Sequence, residues 1–227
     1  DDSLLLLCSG RIRVLHIHTH ALPTRPEAVL RALDDAVRAG KVVYLGASNY
    51  AAYRLMESLW VSDKRSLNRF VTLQAQYSLA VRALEREHVP LCTKFGLGIL
   101  PWSPLSSGLL TGKYRRGQTP PEGTRLAQWQ DRYKSFDIER NWRVVEALVN
   151  AASELDRTPS QVALAWLLAR PAVSSVIFGA RTVAQLDDNL GAADLTLSAD
   201  VLGRLDAASA LELGYPYDFI QSIDGAW

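Results

Sequence analysis

The residues best suited to chemistry lie in one segment, GILPWSPLSSGLLTGKY, at positions 98–114. An apolar run ends there in Pro101-Trp102-Ser103-Pro104, and a small-residue turn and Lys113 follow. An indole offers a flat face for a heteroaromatic ring, and small polar donors beside a cation suit phosphate groups. We interpret the segment as a place for a ring and a diphosphate side by side, as in a nucleotide cofactor. Core packing is the alternative for an isolated tryptophan, and its flanking residues favour the cofactor.

Polar side chains also stand at the ends of other predicted strands, namely His18, Ser48, Asn49 and Gln74. A hydroxyl and two amides suit a carboxamide, which needs a donor and an acceptor in one plane. A histidine at a strand end suits hydrogen bonding or proton transfer. The alternatives are an ordinary Ser-Asn turn and a histidine without a role.

Three histidines, His16, His18 and His20, alternate along the first predicted strand, so all three could face one side. Barrel hydrolases present two histidines from one strand to a metal, but they need further His or Asp ligands at other strand ends. The other strand ends offer none, and His88 lies in a predicted helix. We therefore predict no metal site, and a metal-dependent hydrolase is the least favoured function.

A compact turn, Phe178-Gly179-Ala180-Arg181-Thr182, leads into a predicted helix. Backbone N–H groups at a helix N-terminus bind anions, and Arg181 adds a charged donor. We predict a phosphate at this turn, and a solvated surface arginine is the alternative.

Short apolar runs alternate with amphipathic helices along the chain. Strands are predicted at 12–18, 42–47, 70–76, 98–102 and 174–178, and helices at 26–39, 51–58, 84–95, 162–169, 183–190 and 199–208, with a long helix around Trp142 and a loop at 115–137. Nearly continuous apolar strands indicate a parallel sheet buried on both faces. The unit of about 30 residues is that of a (β/α)8 barrel. Helix caps are predicted at Thr158, as a capping box, and at Thr182 and Ser198.

Five predicted strands are fewer than the eight of such a barrel, and the chain lacks the glycine fingerprint of an open dinucleotide-binding sheet. The first residue is Asp1 and the only methionine is Met56. We therefore expect one α/β domain over 1–227, an N-terminally incomplete TIM barrel running from about strand 4 to strand 8 plus a C-terminal helix and tail.

The composition of the chain limits the kinds of partner that it is expected to bind. The net charge of +1 provides no basic patch for nucleic acid. The longest N-terminal apolar run is too short for a membrane span, so we expect no membrane partner. Two cysteines without disulfide or metal spacing read as free thiols and predict a cytoplasmic location. The sequence leaves a homo-oligomer open.

Four motifs together resemble the aldo-keto reductases, in the bacterial and potassium-channel β-subunit branch: LGASNY (45–50), LQAQYSL (73–79), LPWSPLSSGLLTGKY (100–114) and VIFGARTVAQLDDNL (176–190). The resemblance runs from about residue 3 to the C-terminus. It implies a (β/α)8 barrel that binds NADPH without a glycine-rich loop. It also implies reduction of a small-molecule aldehyde or ketone to an alcohol by hydride transfer.

The resemblance also implies roles for particular residues. His18 resembles the active-site histidine that orients the substrate carbonyl, and Trp102 the ring that stacks on the nicotinamide. Three groups of residues match the rest of the cofactor site: Ser48, Asn49 and Gln74 for the carboxamide; Ser103, Pro104, Leu105, Gly108, Lys113 and Arg125 for the diphosphate; and Gly179, Arg181, Gln185, Asp188 and Asn189 for the 2′-phosphate and adenine. The chain departs from the family where Asp188 replaces the usual glutamate and Arg181 a frequent serine. Arg181 should favour NADPH over NADH.

The family's catalytic tyrosine, with the lysine and aspartate that tune its pKa, belongs to strands before the segment that matches Asp1. These three residues have no counterpart in residues 1–227. Our first hypothesis is an NADPH-dependent carbonyl reductase whose N-terminal barrel units are absent from this sequence. The second is a catalytically weak or inactive NADPH-binding regulatory protein of the same fold.

Overall fold

A computed structural model describes residues 2–20 and 23–223 of the chain. The strands are β1 (Ile12–Ile17), β2 (Val42–Ser48), β3 (Phe70–Gln76) and β4 (Gly98–Trp102). The helices are α1 (Asp2–Leu6), α2 (Pro26–Arg38), α3 (Ala52–Arg65), α4 (His88–Phe95), α5 (Arg125–Gln128), α6 (Gln130–Phe136), α7 (Glu139–Glu154), α8 (Pro159–Leu168), α9 (Val183–Leu190), α10 (Ala199–Ala208) and α11 (Tyr217–Ile223). Two 3-10 turns lie at Ala83–Glu85 and Ser106–Thr111.

The strands form a four-stranded sheet in the order β1-β2-β3-β4. β1 pairs with β2 and β2 with β3, both in parallel, so that His16 lies beside Gly46 and Gly46 beside Thr72. Ser48 pairs with Gln74 at the carboxyl end. The alternation of strand and helix that connects these parallel strands is the predicted (β/α) pattern.

The chain divides into two compact units. The first takes in the described residues of 1–75 and 87–100, and the second those of 76–86 and 101–223. The prediction of a single domain over 1–227 stays a prediction.

In the first unit, apolar side chains of α2 and α3 are buried with those of the strands: Leu30, Leu33, Leu55, Leu59, Leu45, Leu73 and Ile99. α2 begins at Pro26, as predicted, because proline needs no N–H donor in the first turn. Burial raises the pKa of the Cys92 thiol to about 12, and both Cys8 and Cys92 are free thiols.

In the second unit, α7 and α8 pack around the fully buried Trp166 and Leu148. The predicted capping box of α8 is confirmed, since the Thr158 hydroxyl accepts from Gln161 N and the Gln161 side chain accepts from Thr158 N. The caps at Thr182 and Ser198 are also confirmed.

Four predicted elements differ from the structure. The helix expected over 84–95 is a 3-10 turn followed by α4, because Pro90 lacks an N–H donor and fits only in a first turn. α3 continues to Arg65 and ends at Ser66, whose φ of 53° is left-handed. The loop expected at 115–137 contains α5 and α6. The strand expected at 174–178 is a single parallel bridge between Ile177 and Trp102, because only the bond from Ile177 N to Pro101 O (2.9 Å) forms.

Over the described part of the chain, we find no helix with the length and apolar character that crossing a membrane requires.

Candidate functional site

The carboxyl ends of β1, β2 and β3 are joined through Asn49. This residue follows β2 in the left-handed region, with φ 54°, which asparagine tolerates better than most residues. Its backbone N–H donates to Gln74 O (3.1 Å), and its side-chain Nδ2 donates to His18 O (3.0 Å) and Ser48 Oγ (3.0 Å). Four sequence-predicted site residues therefore meet at one edge of the first unit.

Burial differs within this group. Ser48 is 1% exposed, whereas Gln74 is half-buried and His18 is exposed just beyond the end of β1. The buried Ser48 hydroxyl orients the Asn49 side chain, and Gln74 and His18 are accessible to a ligand. The arrangement therefore offers hydrogen-bond donors and acceptors to a planar group such as a carboxamide.

A second polar contact crosses the same face of the sheet, two residues before these strand ends. The His16 Nε2 lies 3.0 Å from the Thr72 hydroxyl. The side chain reaches across β2 at Gly46, where a Cβ would come within 2.5 Å of Thr72 Oγ1 and closer still to the imidazole. Burial lowers the pKa of His16, so the neutral ring is favoured. Sequence analysis did not single out Thr72, although its spacing of two residues from Gln74 could have indicated it.

The prediction that all three histidines face one side is wrong for His20. His20 and Ile17 line a cavity of about 170 Å³ together with Tyr50 and Phe70. Its ring makes an edge contact with Tyr50 at 5.2 Å, and its Nδ1 is buried without a hydrogen-bond partner among the described residues. β1 ends at Ile17, so strict alternation stops before His20. Among residues 2–20 and 23–223, moreover, no group of three or more His, Cys, Asp or Glu could hold a metal.

In the second unit, the segment after Trp102 forms a tight series of turns. Positive φ angles occur at Ser103 (54°), Ser106 (47°), Ser107 (58°) and Gly108 (93°). Pro104 and Ser106 are buried and Leu105 is half-buried, and Ser106 Oγ lies 2.8 Å from the buried Ser78 Oγ. This internal anchoring holds the backbone of the turn in place.

Lys113 closes over this turn. A Cβ added at Gly108 would lie 3.2 Å from Lys113 Nζ, so the absence of a side chain makes room for the ammonium group. Lys113 Nζ also lies 5.3 Å from the centre of the Tyr114 ring. The Tyr114 hydroxyl in turn accepts from Leu126 N (3.4 Å), beside Arg125, and the Arg125 guanidinium stacks on the Trp129 ring at 5.4 Å. The predicted diphosphate residues thus belong to one connected region.

The turn before α9 is closed by a reciprocal cap. Thr182 Oγ1 accepts from Gln185 N (3.2 Å), while Gln185 Oε1 accepts from Arg181 N (2.9 Å). The Arg181 side chain is exposed, and a Cβ at Gly179 would meet nothing within 4 Å. The turn therefore presents an accessible guanidinium beside open space at the helix N-terminus.

Asp188 is tied to the cap of α8, a contact that sequence analysis missed. The Thr158 hydroxyl donates to Asp188 Oδ2 (3.1 Å), and Gln161 Nε2 donates to Asp188 O (2.9 Å). The neighbouring Asn189 is buried. The only sequence signal was the replacement of glutamate by the shorter aspartate at 188.

These observations fit a nicotinamide nucleotide. In the second unit, Lys113 over its turn and the exposed Arg181 offer the kinds of cation that phosphate groups require. In the first unit, the joined strand ends offer the kinds of donor and acceptor that a carboxamide requires. The strand-end residues belong to the first unit, and Lys113 and Arg181 belong to the second.

The sequence and structure can be compared with known proteins. The family model described as "Aldo/keto reductase family" matches residues 2–210. The chain therefore belongs to the aldo/keto reductase family, and its parallel sheet with connecting helices is part of a (β/α) barrel.

Individual relatives agree with this assignment. The "Uncharacterized oxidoreductase YrpG" of Bacillus subtilis is 35% identical over 206 residues, which is 91% of this chain and 61% of the relative. The "Probable voltage-gated potassium channel subunit beta" of Arabidopsis thaliana is 33% identical over 208 residues, covering 90% and 63% of the two chains. A crystal structure of the thermostable aldo-keto reductase Tm1743 with the inhibitor epalrestat matches with a TM-score of 0.71 at 25% identity, over 91% of this chain and 63% of the other. The chain thus spans less than two thirds of the length of these relatives.

Proposed function

We propose that this chain forms the cofactor-binding part of an oxidoreductase that uses NADPH to reduce an aldehyde or ketone to an alcohol. One observation carries the proposal. The Asn49 side chain donates to the His18 backbone oxygen and to the Ser48 hydroxyl, while the Asn49 backbone N–H donates to the Gln74 backbone oxygen. The histidine proposed to face the carbonyl and the three residues proposed to hold the nicotinamide carboxamide are therefore ordered as one set.

The residues of this chain would act by binding and orienting. Ser48, Asn49 and Gln74 hold the carboxamide in one plane, and Trp102 stacks on the ring. NADPH, when bound, would supply the hydride that the carbonyl carbon receives, and the carbonyl oxygen would take up a proton from water or from a general acid. His18 donates a hydrogen bond to that oxygen and so orients the carbonyl.

The remaining residues bind the rest of the cofactor. The turn from Ser103 to Lys113, with Arg125, neutralises the diphosphate. Arg181 pairs with the 2′-phosphate, which distinguishes NADPH from NADH. Gly179, Gln185, Asp188 and Asn189 surround the adenosine. A small-molecule carbonyl is the proposed substrate, and the cytoplasmic location stays a prediction.

Cofactor titration tests the proposal directly. We expect NADPH to bind this chain saturably, with quenching of tryptophan emission from stacking on Trp102. The variant N49A should weaken binding about tenfold because it loses the contacts that order the strand ends. The variant R25A, an exposed arginine on the first unit, serves as the control and should bind as the parent does. Absence of NADPH binding by a folded chain would contradict the proposal.

Turnover is tested separately by mixing the protein with NADPH and 4-nitrobenzaldehyde and following the oxidation of NADPH. We expect the absorbance of NADPH to fall only when the aldehyde is present. In H18A this loss should be slower, while NADPH binding is retained. Binding without any turnover would reject the reductase activity and leave the cofactor site in place.

A further inference from the structure

A second cavity is lined by none of the residues proposed to bind the carbonyl or the adenosine. It has a volume of about 330 Å³ and lies in the second unit, between α7 and the segment Tyr114–Arg116. The volume falls within the range of small-molecule sites, about 300–1,000 Å³. Tyr114, Trp142, Val145 and Val149 provide an apolar wall. Such a wall suits an aromatic or aliphatic body rather than a highly solvated ion.

Three arginines and two glutamates complete the lining: Arg115, Arg116, Arg143, Glu139 and Glu146. Arg116 is paired with Glu139 at 2.5 Å, and Arg115 donates to the backbone oxygens of Gly112 and Tyr114. Arg116 and Glu139 therefore neutralise each other, and the Arg115 guanidinium is held by backbone oxygens.

Arg143 stands apart from these contacts. Its side chain makes no hydrogen bond or ion pair with any residue that the structure describes. The positive charge of Arg143 acts on Arg140, whose pKa is lowered by burial and by the like charges of Arg82 and Arg143. A guanidinium that lines a cavity without a counter-ion among the described residues favours a bound anion. Glu146, one turn further along α7, also lines the cavity, and its negative charge disfavours a bound anion. Neutralising Glu146 and neutralising Arg143 should therefore have opposite effects on anion binding.

We propose that the cavity binds a small amphiphile with an aromatic or aliphatic body and one anionic group. The body lies against Trp142, Val145 and Val149, and the anion pairs with the Arg143 guanidinium. Tyr114 lines the cavity and is the neighbour in sequence of Lys113, which belongs to the proposed diphosphate site. Binding of the amphiphile is nevertheless proposed without any need for bound cofactor.

Two probes that differ only in charge test it: naphthalene-2-carboxylate and naphthalene-2-methanol, titrated calorimetrically into the whole chain without NADPH. We expect the carboxylate to bind saturably and the alcohol about fivefold more weakly or worse. The variant R143Q should weaken carboxylate binding about tenfold, and E146Q should strengthen it about twofold. R25Q, which changes an exposed arginine of the first unit, should change the affinity for neither probe. Equal affinity for the two probes, or no carboxylate binding at millimolar concentration, would overturn the proposal.

A cavity-filling variant locates the binding. V149F should abolish binding of both probes, while circular dichroism checks that the fold is retained. A folded V149F that binds the carboxylate as the parent does would place the ligand elsewhere and reject the site. If V149F does not fold, R143Q and E146Q still decide the outcome because both side chains are exposed. Unchanged binding in both would likewise reject it.

Discussion

The His16 imidazole and the Thr72 hydroxyl meet at 3.0 Å across the bare backbone of Gly46. The two residues belong to β1 and β3, which do not pair with each other, and β2 lies between them. A polar contact across three strands is possible only because the middle strand has no side chain at that position. The packing role of Gly46 is therefore to leave room for the contact between His16 and Thr72, which accounts for a glycine inside a buried strand.

Replacing Gly46 with alanine should destabilise the protein. The new Cβ would collide with the imidazole and with Thr72 Oγ1 at 2.5 Å. Overpacking of this kind costs about 1–3 kcal/mol, which urea unfolding followed by circular dichroism can measure. Gly203 provides the matched control, since it lies in α10 and a Cβ there meets nothing within 4 Å. G203A should stabilise the protein by about 0.5–1 kcal/mol, and an equal effect in both variants would contradict the packing role of Gly46.

His16 should make stability depend on pH. Burial lowers its pKa in the folded state, so the unfolded chain binds the proton at higher pH. Its contribution is therefore fully present above the unfolded pKa of about 6.5 and is lost as the pH falls through the folded pKa. We expect the urea midpoint of the parent to fall between about pH 7 and pH 5 more steeply than that of H16Q. Parallel pH profiles would show that His16 titrates normally.

Thr158 should stabilise two helices at once, since it caps α8 and donates to Asp188 near the end of α9. T158A should cost about 1–2 kcal/mol of unfolding free energy, the upper part of the range of about 0.5–2 kcal/mol for a lost N-cap. T158S keeps the hydroxyl and serves as the conservative control, with a much smaller loss. A double-mutant cycle with D188N isolates the link between the helices, and we expect a coupling of about 0.5 kcal/mol or more. Strict additivity would mean that the contact to Asp188 adds nothing.

Asp206 should matter more than other acids on α10. It accepts from Trp166 Nε1 (2.9 Å) and Arg170 Nη1 (3.0 Å) and lies 3.4 Å from Arg82 Nη1. D206A leaves these largely buried donors without their partner, at a cost of about 2–3 kcal/mol. Among the described residues, Asp200 on the same helix pairs only with the exposed Arg204. D200A should therefore change stability by less than about 0.5 kcal/mol. Thermal unfolding of both variants checks the ranking, and similar losses would contradict it.

Arg181 should determine cofactor preference if the proposed function is right. Its exposed guanidinium stands at the N-terminal turn of α9. R181A should weaken NADPH binding about tenfold and NADH binding little, because only NADPH carries the 2′-phosphate. Comparative fluorescence titrations measure both affinities, with R25A as the control for a lost surface charge. Equal weakening of the two cofactors would place Arg181 away from the 2′-phosphate.

The sequence alone identified most of the elements that the structure contains. β3, β4, α9 and α10 have the predicted bounds, because apolar periodicity, capping residues and turn residues act over a few neighbouring positions. Pro90 shows where local patterns were misjudged, since its missing donor starts α4 at His88. The run 174–178 has the composition of a strand, but a strand exists only where a partner continues its hydrogen bonds.

The sequence by itself determined the alternation of strands and helices, the helix caps and the polar character of the strand ends, all of which follow from short-range chemistry. Only the tertiary structure decided that His16 reaches Thr72 over Gly46, that His20 lies on the opposite side, and that Asp188 is held by Thr158. These relationships depend on strand register and helix packing between residues far apart in the chain. Long-range pairing sets both of them, and local sequence patterns do not contain that information.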